Sequence, residues 1–222
     1  GIRIIPADDL VPEESDSYEI GIRGNLGNFS YDLSAYRSDY DDFIQIGYIE
    51  TVDEINWDFG FPFPVSVDIF QYQNIDKAEI SGMEFRLDYV LGDNMTLFLN
   101  GEYMDSEDKS TGEQLASIQP LNGTLGFNYY RGAFGFDAML KWVDSMDKVP
   151  EGAMETDSYT TLDLFARYQF NDRFQASLGL LNAFDEEYIE YTSVAGIPDD
   201  GRDLTLYTEP GRTVSASLRF AF

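Results

Sequence analysis

The sequence predicts an all-β chain forming part of an antiparallel transmembrane β-barrel. Apolar and polar residues alternate with period two from residue 16 to the end. Short and long connections take strict turns along the chain. No stretch approaches the run of about 20 apolar residues that a membrane helix requires. A strand of about 10 residues, tilted, crosses a bilayer with a much weaker signal per segment.

Nine segments carry the alternation, at 16–25, 29–49, 67–91, 94–106, 117–130, 133–143, 158–170, 173–183 and 211–222. In the first, Tyr18, Ile20 and Ile22 alternate with Glu19 and Arg23; in the second, Phe29, Tyr31, Leu33 and Ala35 alternate with Ser30, Asp32 and Ser34. Met83, Phe85, Leu87, Tyr89 and Leu91 oppose Glu84, Arg86 and Asp88, and Met95, Leu97, Leu99 and Tyr103 oppose Thr96, Asn100 and Glu102. Leu121, Leu125, Phe127 and Tyr129 follow, then Phe134, Phe136, Ala138, Leu140 and Trp142. Leu162, Leu164, Ala166, Tyr168 and Phe170 oppose Asp163, Arg167 and Gln169, ahead of Phe174, Ala176, Leu178 and Leu180. The last segment is the clearest, with Val214, Ala216, Leu218, Phe220 and Phe222 on one face and Thr213, Ser215, Ser217 and Arg219 on the other. The second and third segments are long enough to project beyond a membrane. Their parity slips near Tyr36–Phe43 and around Gly82, which suggests bulges. A turn is expected at Asn182–Glu187.

Tight connections rich in Gly and Asn fall at 24–28, 92–94, 130–132 and 171–173. Long acidic ones fall near 50–66, 106–116, 144–157 and 184–210. A soluble sandwich has water at both ends and nothing to enforce that order. An outer-membrane barrel has short turns on its periplasmic rim and long loops outside.

Composition narrows the chemistry. Forty-one acidic against 14 basic residues give a net charge of −27, so the chain lacks the basic face that nucleic acid needs. The sequence has no cysteine and no histidine, which removes thiolate nucleophiles, disulfides and the commonest general base and metal ligand. Adjacent carboxylates such as Asp41/Asp42, Glu186/Glu187 and Asp199/Asp200 point to opposite faces of a strand and are poorly placed to flank one glycosidic bond. No catalytic residue, metal ligand or cofactor is expected, and the chain is not read as an enzyme.

Four segments resemble the C-terminal barrel region of TonB-dependent outer-membrane receptors. Leu10-Val11-Pro12-Glu13-Glu14-Ser15-Asp16-Ser17-Tyr18-Glu19-Ile20-Gly21-Ile22-Arg23 resembles that family's "LxPExSxxYEIGxR" strand start. Asn74–Glu84 resembles a family strand with a glycine, here Gly82, two residues before a glutamate. Leu181-Asn182-Ala183-Phe184-Asp185-Glu186-Glu187-Tyr188 is similar to its "NLFDxxY" element, and Glu209-Pro210-Gly211-Arg212-Thr213 through Phe222 to its terminal "PGR…F" strand. The four span nearly the whole chain in the family's order. Leu115-Ala116-Ser117-Ile118-Gln119-Pro120-Leu121-Asn122 resembles a segment of the haem and haemoglobin receptors in the family.

The resemblance implies a portion of about nine strands from a barrel of about 22, with the plug domain and the N-terminal strands lying outside residues 1–222 and Gly1 a domain boundary. It also implies a Gram-negative outer-membrane location and active uptake of an iron complex, haem ahead of a ferric siderophore. The implied partners are the TonB energy-coupling complex acting through the plug, the barrel-assembly machinery, lipopolysaccharide or other outer-membrane lipid, and the iron complex itself. A passive porin-like barrel and a soluble acidic carbohydrate-binding β-sandwich are the competing readings.

Candidate residues follow from position. Loop aromatics Trp57, Phe59, Phe61 and Phe63, and Tyr188, Tyr191 and Tyr207, are candidates to touch a flat or aromatic ligand, or else pack their loops. Leu218, Phe220 and Phe222 form the candidate barrel-insertion signal, an apolar edge ending in an aromatic that docks by strand addition. Glu84, Arg86, Asp88, Asp163, Arg167 and Arg219, with Glu19, Arg23, Asp32, Glu102, Asp137 and Lys141, should face the lumen, either holding a plug or lining a wet wall. Tyr18, Tyr129, Phe134, Tyr168, Phe170, Phe174 and Phe220 are expected as an aromatic girdle near the short turns. The acidic loops are candidates to bind divalent cations bridging to lipopolysaccharide, or are solvated carboxylates.

Overall fold

The computed structural model describes every residue except 58, 59, 117 and 222. Its strands are β1 (Ile2–Ile5), β2 (Glu14–Leu26), β3 (Phe29–Asn56), β4 (Phe63–Leu91) and β5 (Met95–Asp108), then β6 (Asn122–Arg131), β7 (Phe134–Val143), β8 (Tyr159–Asn171), β9 (Phe174–Leu181) and β10 (Thr213–Phe220). One short helix, α1 (Tyr191–Val194), lies between β9 and β10. The strands β2 to β10 form a single antiparallel meander in which each pairs with its neighbours in sequence. Among the described residues β2 and β10 do not pair with each other, so the sheet is open.

Register sorts the side chains into two faces. Leu26, Phe29, Tyr89, Leu97, Phe127, Ala138, Leu164, Leu180 and Val214 are paired in one unbroken row across nine strands. The neighbouring positions carry the opposite face: Arg23, Asp32, Arg86, Asn100, Thr124, Lys141 and Thr161 form a continuous polar row across seven strands. The polar face is concave, enclosing an open hollow of about 830 Å³ lined by Glu19, Arg23, Glu84, Arg86, Asn100 and Glu102. The apolar face is bare, with Ile20 77% and Leu218 74% exposed. Soluble monomers rarely leave contiguous apolar patches beyond a few hundred Å² in water. Such a face belongs against lipid. No second sheet packs on it among the described residues, which removes the sandwich reading.

Connections divide by rim, as the alternation of lengths predicts. Leu26 pairs with Phe29 and Arg131 with Phe134, leaving two-residue loops whose first residues, Gly27 and Gly132, have φ of 63° and 57°. Glycine with positive φ at the first loop position is the type II′ pattern that matches strand twist. The opposite rim carries the connections 109–121, 144–158 and 182–212.

Several expectations change. The 50–66 connection is mostly ladder: β3 and β4 remain paired out to Asn56 and Phe63, with Val52, Val65 and Val67 on one face among the acids. Gly82 is no bulge, because register is continuous through it on both sides. It is glycine because a Cβ there would lie 2.6 Å from the Tyr36 ring and 2.7 Å from the Tyr103 carbonyl. The irregularity expected near Tyr36–Phe43 is present at Asp42, with φ of 55°, and β3 carries another between Tyr48 and Glu50. The fifth segment starts at Asn122 rather than 117, because Ile118 leaves the wall to become an interior residue of the loops. Tyr18 stands opposite Arg37 near the outer end of β2, away from the short turns, whereas Tyr129, Phe134, Tyr168, Phe170, Phe174 and Phe220 do gather at the inner rim. β1 and α1 have no counterpart in the sequence reading; β1 pairs in parallel with Asp68–Gln71 on the edge of β4 that β5 does not reach.

Candidate functional site

The long loops do not stand apart in solvent; they fuse into one body. Phe70 of β4, Ile118, Met146, Met154, Tyr191, Val194 and Ile197 form a buried cluster, with Met104, Val149, Ile189 and Tyr207 packed around it. Each loop alone is too polar and too long to hold one conformation, and pooling a few apolar side chains from three of them offsets the ordering cost. Met104 lies in register with Gly82 and Tyr36 on the polar face, so the loop body is seated over the concave side.

Two ionic ties fix this body to the wall. Lys141 donates to Glu190 at 2.8 Å, Tyr159 donates to the same carboxylate at 3.2 Å, and the Tyr188 ring stacks on Tyr159 with centroids 4.1 Å apart. On the other side Arg202 donates to Asp68 at 2.5 Å and to Asp200 at 2.9 Å, while the Thr51 hydroxyl donates to Asp68 at 2.7 Å. This stretch of β4 stands beyond the apolar belt. The Arg202 guanidinium holds the Asp68 carboxyl below the usual carboxylate range, with burial working against it. Arg202 itself is raised, chiefly by Asp68 and then by Asp200.

The base of the loop is tied by Asn182, in positive φ at 48°. Its side chain accepts from the Glu186 N–H at 2.9 Å and donates to the Glu186 and Pro210 carbonyls at 2.8 and 3.3 Å. Asp185 accepts from the Arg212 N–H at 2.8 Å. The two ends of a long loop are thereby joined before β10 begins. This gives the Asn182–Tyr188 and Pro210–Arg212 segments a common physical purpose.

The sequence-nominated aromatics divide. Tyr188 borders a cleft of about 360 Å³ whose walls include Glu155, Asp157, Glu187 and Asp203. Tyr207 borders a hollow of about 580 Å³ with Asp68, Arg202 and Leu206. Tyr191 is an interior residue, 3% exposed, with a hydroxyl that has no hydrogen-bond partner among the described residues, and burial pushes its pKa up to about 12. Trp57 is 64% exposed at the tip of the β3–β4 hairpin, outside this cluster; Phe61 and Phe63 neighbour each other there at 6.0 Å. Phe59 lies outside the described residues.

All twelve charged residues assigned to the lumen stand on the polar face. Arg23 pairs with Asp32 and Arg86 with Asp88. Arg167, Tyr130 and Asp137 form a tight network near the inner rim, and Asp163 accepts from the Asn182 N–H. Glu84, Glu102 and Glu19 line the hollow, and Arg219 pairs in register with Gln175. Leu218 and Phe220 face outward on β10, opposite Ala176 and Phe174; Phe222 lies outside the described residues. Among the described residues no three carboxylates converge to hold a metal ion. Sequence reasoning missed Asp68, Arg202 and Glu190. Their partners are separated by 134 and 49 residues, and no local pattern marks them.

Comparison with known proteins agrees with this architecture. The family model "TonB dependent receptor-like, beta-barrel" matches residues 1–183. The chain is 26% identical to the probable TonB-dependent siderophore receptor PirA of Acinetobacter baumannii over 96% of its own length and 30% of that protein. It is 28% identical to the vitamin B12 transporter BtuB of Vibrio vulnificus, covering 96% of this chain and 31% of the relative. Among solved structures the copper transporter OprC superposes with a TM-score of 0.77 at 22% identity, covering 97% of this chain and 32% of that one. The chain thus spans about a third of the length of the relatives it matches. Proteins of this type are β-barrels of the Gram-negative outer membrane. Because the family model covers most of the chain, the chain belongs to the TonB-dependent receptor β-barrel family, and its antiparallel meander agrees with that.

Proposed function

We propose that this chain forms wall and outer mouth of a receptor that actively imports an iron complex, haem or a ferric siderophore, across the outer membrane. The observation that carries the reading is the loop body seated over the polar concavity, held by Asp68–Arg202 on one side and Lys141–Glu190 on the other. A mouth built this way presents aromatic and carboxylate groups to an arriving ligand above a hydrated interior. Tyr188 borders a cleft of that body and Tyr207 a hollow between it and the tall hairpin, which supports them as the ligand-contacting aromatics of this proposal, with Trp57 as a more distal contact. The names of the relatives, a siderophore receptor and a vitamin B12 transporter, support uptake of a bulky metal-containing complex.

In this reading the concave charges, among them Glu84, Arg86, Asp88 and Arg167, meet a plug through ion pairs and hydrogen bonds that can be remade when energy from TonB moves it. Leu218, Phe220 and Phe222 supply the strand that the barrel-assembly machinery takes up. A strain lacking the gene tests the transport step under iron starvation. Growth and uptake of radioiron-labelled haem or siderophore should fail, return with the full receptor, and vanish again without TonB. Uptake of every complex at undiminished rates in the deletion strain, or uptake indifferent to TonB, rejects the proposal.

A further inference from the structure

The cleft beside Tyr188 differs from the rest of the loop body in how its charges are engaged. Elsewhere around that body carboxylates hold cations: Asp68 and Asp200 hold Arg202, Glu190 holds Lys141, and Asp185 faces Arg212. Around the cleft Glu155, Asp157 and Glu187 have no ionic or hydrogen-bonding partner among the described residues. Asp203 engages only Oδ1, which accepts from the Thr205 N–H at 3.0 Å and its hydroxyl at 2.5 Å. Among the described residues no basic side chain lines the cleft. Like charges gathered this way repel, and a cation placed among them relieves the repulsion. The carboxylates do not converge on one point as metal ligands would, so a cation that suits them is carried on a larger organic framework.

The cleft also has an aromatic wall that is held in place. Tyr188 borders it, whereas Tyr159, stacked on Tyr188 at 4.1 Å and 25°, borders a separate hollow with Trp142 and Glu186. Tyr159 therefore backs Tyr188 from behind, and the other face of the Tyr188 ring is turned toward the cleft. Tyr159 is fixed in turn: its hydroxyl donates to Glu190 at 3.2 Å, and Lys141 Nζ lies 5.5 Å from its ring centroid while donating to the same carboxylate. The Lys141 charge is thus kept behind the ring pair and away from the cleft. A tyrosine face is the negative side of its quadrupole and attracts cations. The cleft's volume of about 360 Å³ falls within the roughly 300–1,000 Å³ of small-molecule sites.

We infer that this cleft receives a protonated amine carried on the organic ligand of the imported complex. The ammonium sits on the open face of Tyr188 and takes charge-assisted hydrogen bonds from its N–H groups to Glu155, Asp157 and Glu187. Tyr159, Glu190 and Lys141 are positioning residues that keep the Tyr188 ring in place. The inference rests on the reading of the chain as part of an iron-complex importer and narrows it. Complexes whose chelator ends in an amine are favoured, and those whose outer groups are carboxylates, such as the haem propionates, are disfavoured.

The test measures binding to the full receptor purified in detergent, with two iron scaffolds each made in two forms. One is a linear ferric tris-hydroxamate ending in a free amine or in the same amine succinylated. The other is iron porphyrin with its propionates capped as aminoethyl amides or left free. On whichever scaffold binds, the amine form should bind several-fold tighter, since a cation on an aromatic face alone is worth roughly two- to thirtyfold. The gap should narrow as salt rises. E155Q/D157N/E187Q should bring the two forms together, whereas E113Q/E151Q, two acidic loop changes outside the cleft, should keep them apart. Tyr159→Leu should lower the amine preference, and Tyr159→Phe, which retains the stack, should restore it. Binding of neither scaffold rejects the import reading and the subsite with it. Binding without an amine preference, or a preference that persists in E155Q/D157N/E187Q or vanishes in E113Q/E151Q, overturns the subsite and leaves import standing.

Discussion

Asp68 on β4 and Arg202 in the β9–β10 loop, 134 residues apart along the chain, meet at 2.5 Å with side chains 6% and 17% exposed. Removing one partner of a buried pair leaves an uncompensated charge, at a cost of about 3–5 kcal/mol. Arg202→Gln should therefore free the loop body from the tall hairpin, read as faster proteolysis and amide exchange across 198–208, with the double change Asp68→Asn/Arg202→Gln milder than either alone. Asp68 is held below its unfolded value by Arg202, so its contribution is complete above that unfolded value, near 4. Loop protection should be flat from about pH 5 to 8 and fall only as acidity takes the pH through the depressed value. A decline beginning near neutrality would contradict the pairing.

Tyr191 presents the opposite case, a buried hydroxyl with no hydrogen-bond partner among the described residues. Such a group costs about 1–3 kcal/mol. Tyr191→Phe should make the loop body more resistant to exchange, by up to that amount, and equally so at every pH of growth, since a group pushed up to about 12 stays neutral throughout. Loss of protection in the variant would show that the hydroxyl has a partner in the working protein.

Asn182 combines side-chain bonds with a left-handed backbone. Asn182→Gly keeps the conformation and loses the bonds. Asn182→Ala loses both and pays about 1–2 kcal/mol more for the backbone. Amide exchange at 183–186 and 209–212 should rise in that order, and identical behaviour of the two variants would deny the backbone term.

Val214 and Ser215 are sequence neighbours on opposite faces of β10. Val214→Arg puts a charge against lipid, costing about 2–4 kcal/mol near the midplane, whereas Ser215→Arg places it in the wet interior. The first should sharply lower the heat-modifiable barrel recovered from outer membranes and the second should not. Equal recovery would mean the faces are assigned wrongly. In the same assay, removal of Phe222 from the full receptor should also reduce assembled barrel.

Gly126 lies beneath Phe98, whose ring would stand 1.9 Å from an added Cβ. Gly126→Val should lower assembled barrel because the ring has no room to share. Combining it with Phe98→Ala should restore assembly, and failure of that rescue would place the defect in the backbone instead.

The nine strands of the meander, their face assignment and the sidedness of the loops were legible because lipid and water enforce a rule that local sequence must obey at every second residue. Val214 to Phe220 and Phe134 to Trp142 are readable without any partner. The β3–β4 extension was hidden because acidic residues such as Asp53 and Glu54 suit a strand exposed on both faces as well as they suit a loop; Ser66 donating to Asp53 at 2.8 Å and Arg3 binding Glu54 at 2.7 Å show what they do there. Tyr191 was equally ambiguous. An aromatic in a loop has the same sequence signature whether it packs inward or faces a ligand.

By itself, then, the sequence determined the family, the nine-strand meander and which side of each strand meets lipid, since those follow from a period of two and the spacing of turns. Only the tertiary structure decided that the outer loops are one body, that β1 completes the tall hairpin, and that Asp68, Arg202, Lys141 and Glu190 clamp that body over the interior. The physical reason is distance along the chain. Contacts between residues dozens to more than a hundred positions apart arise from packing, and no local pattern encodes them.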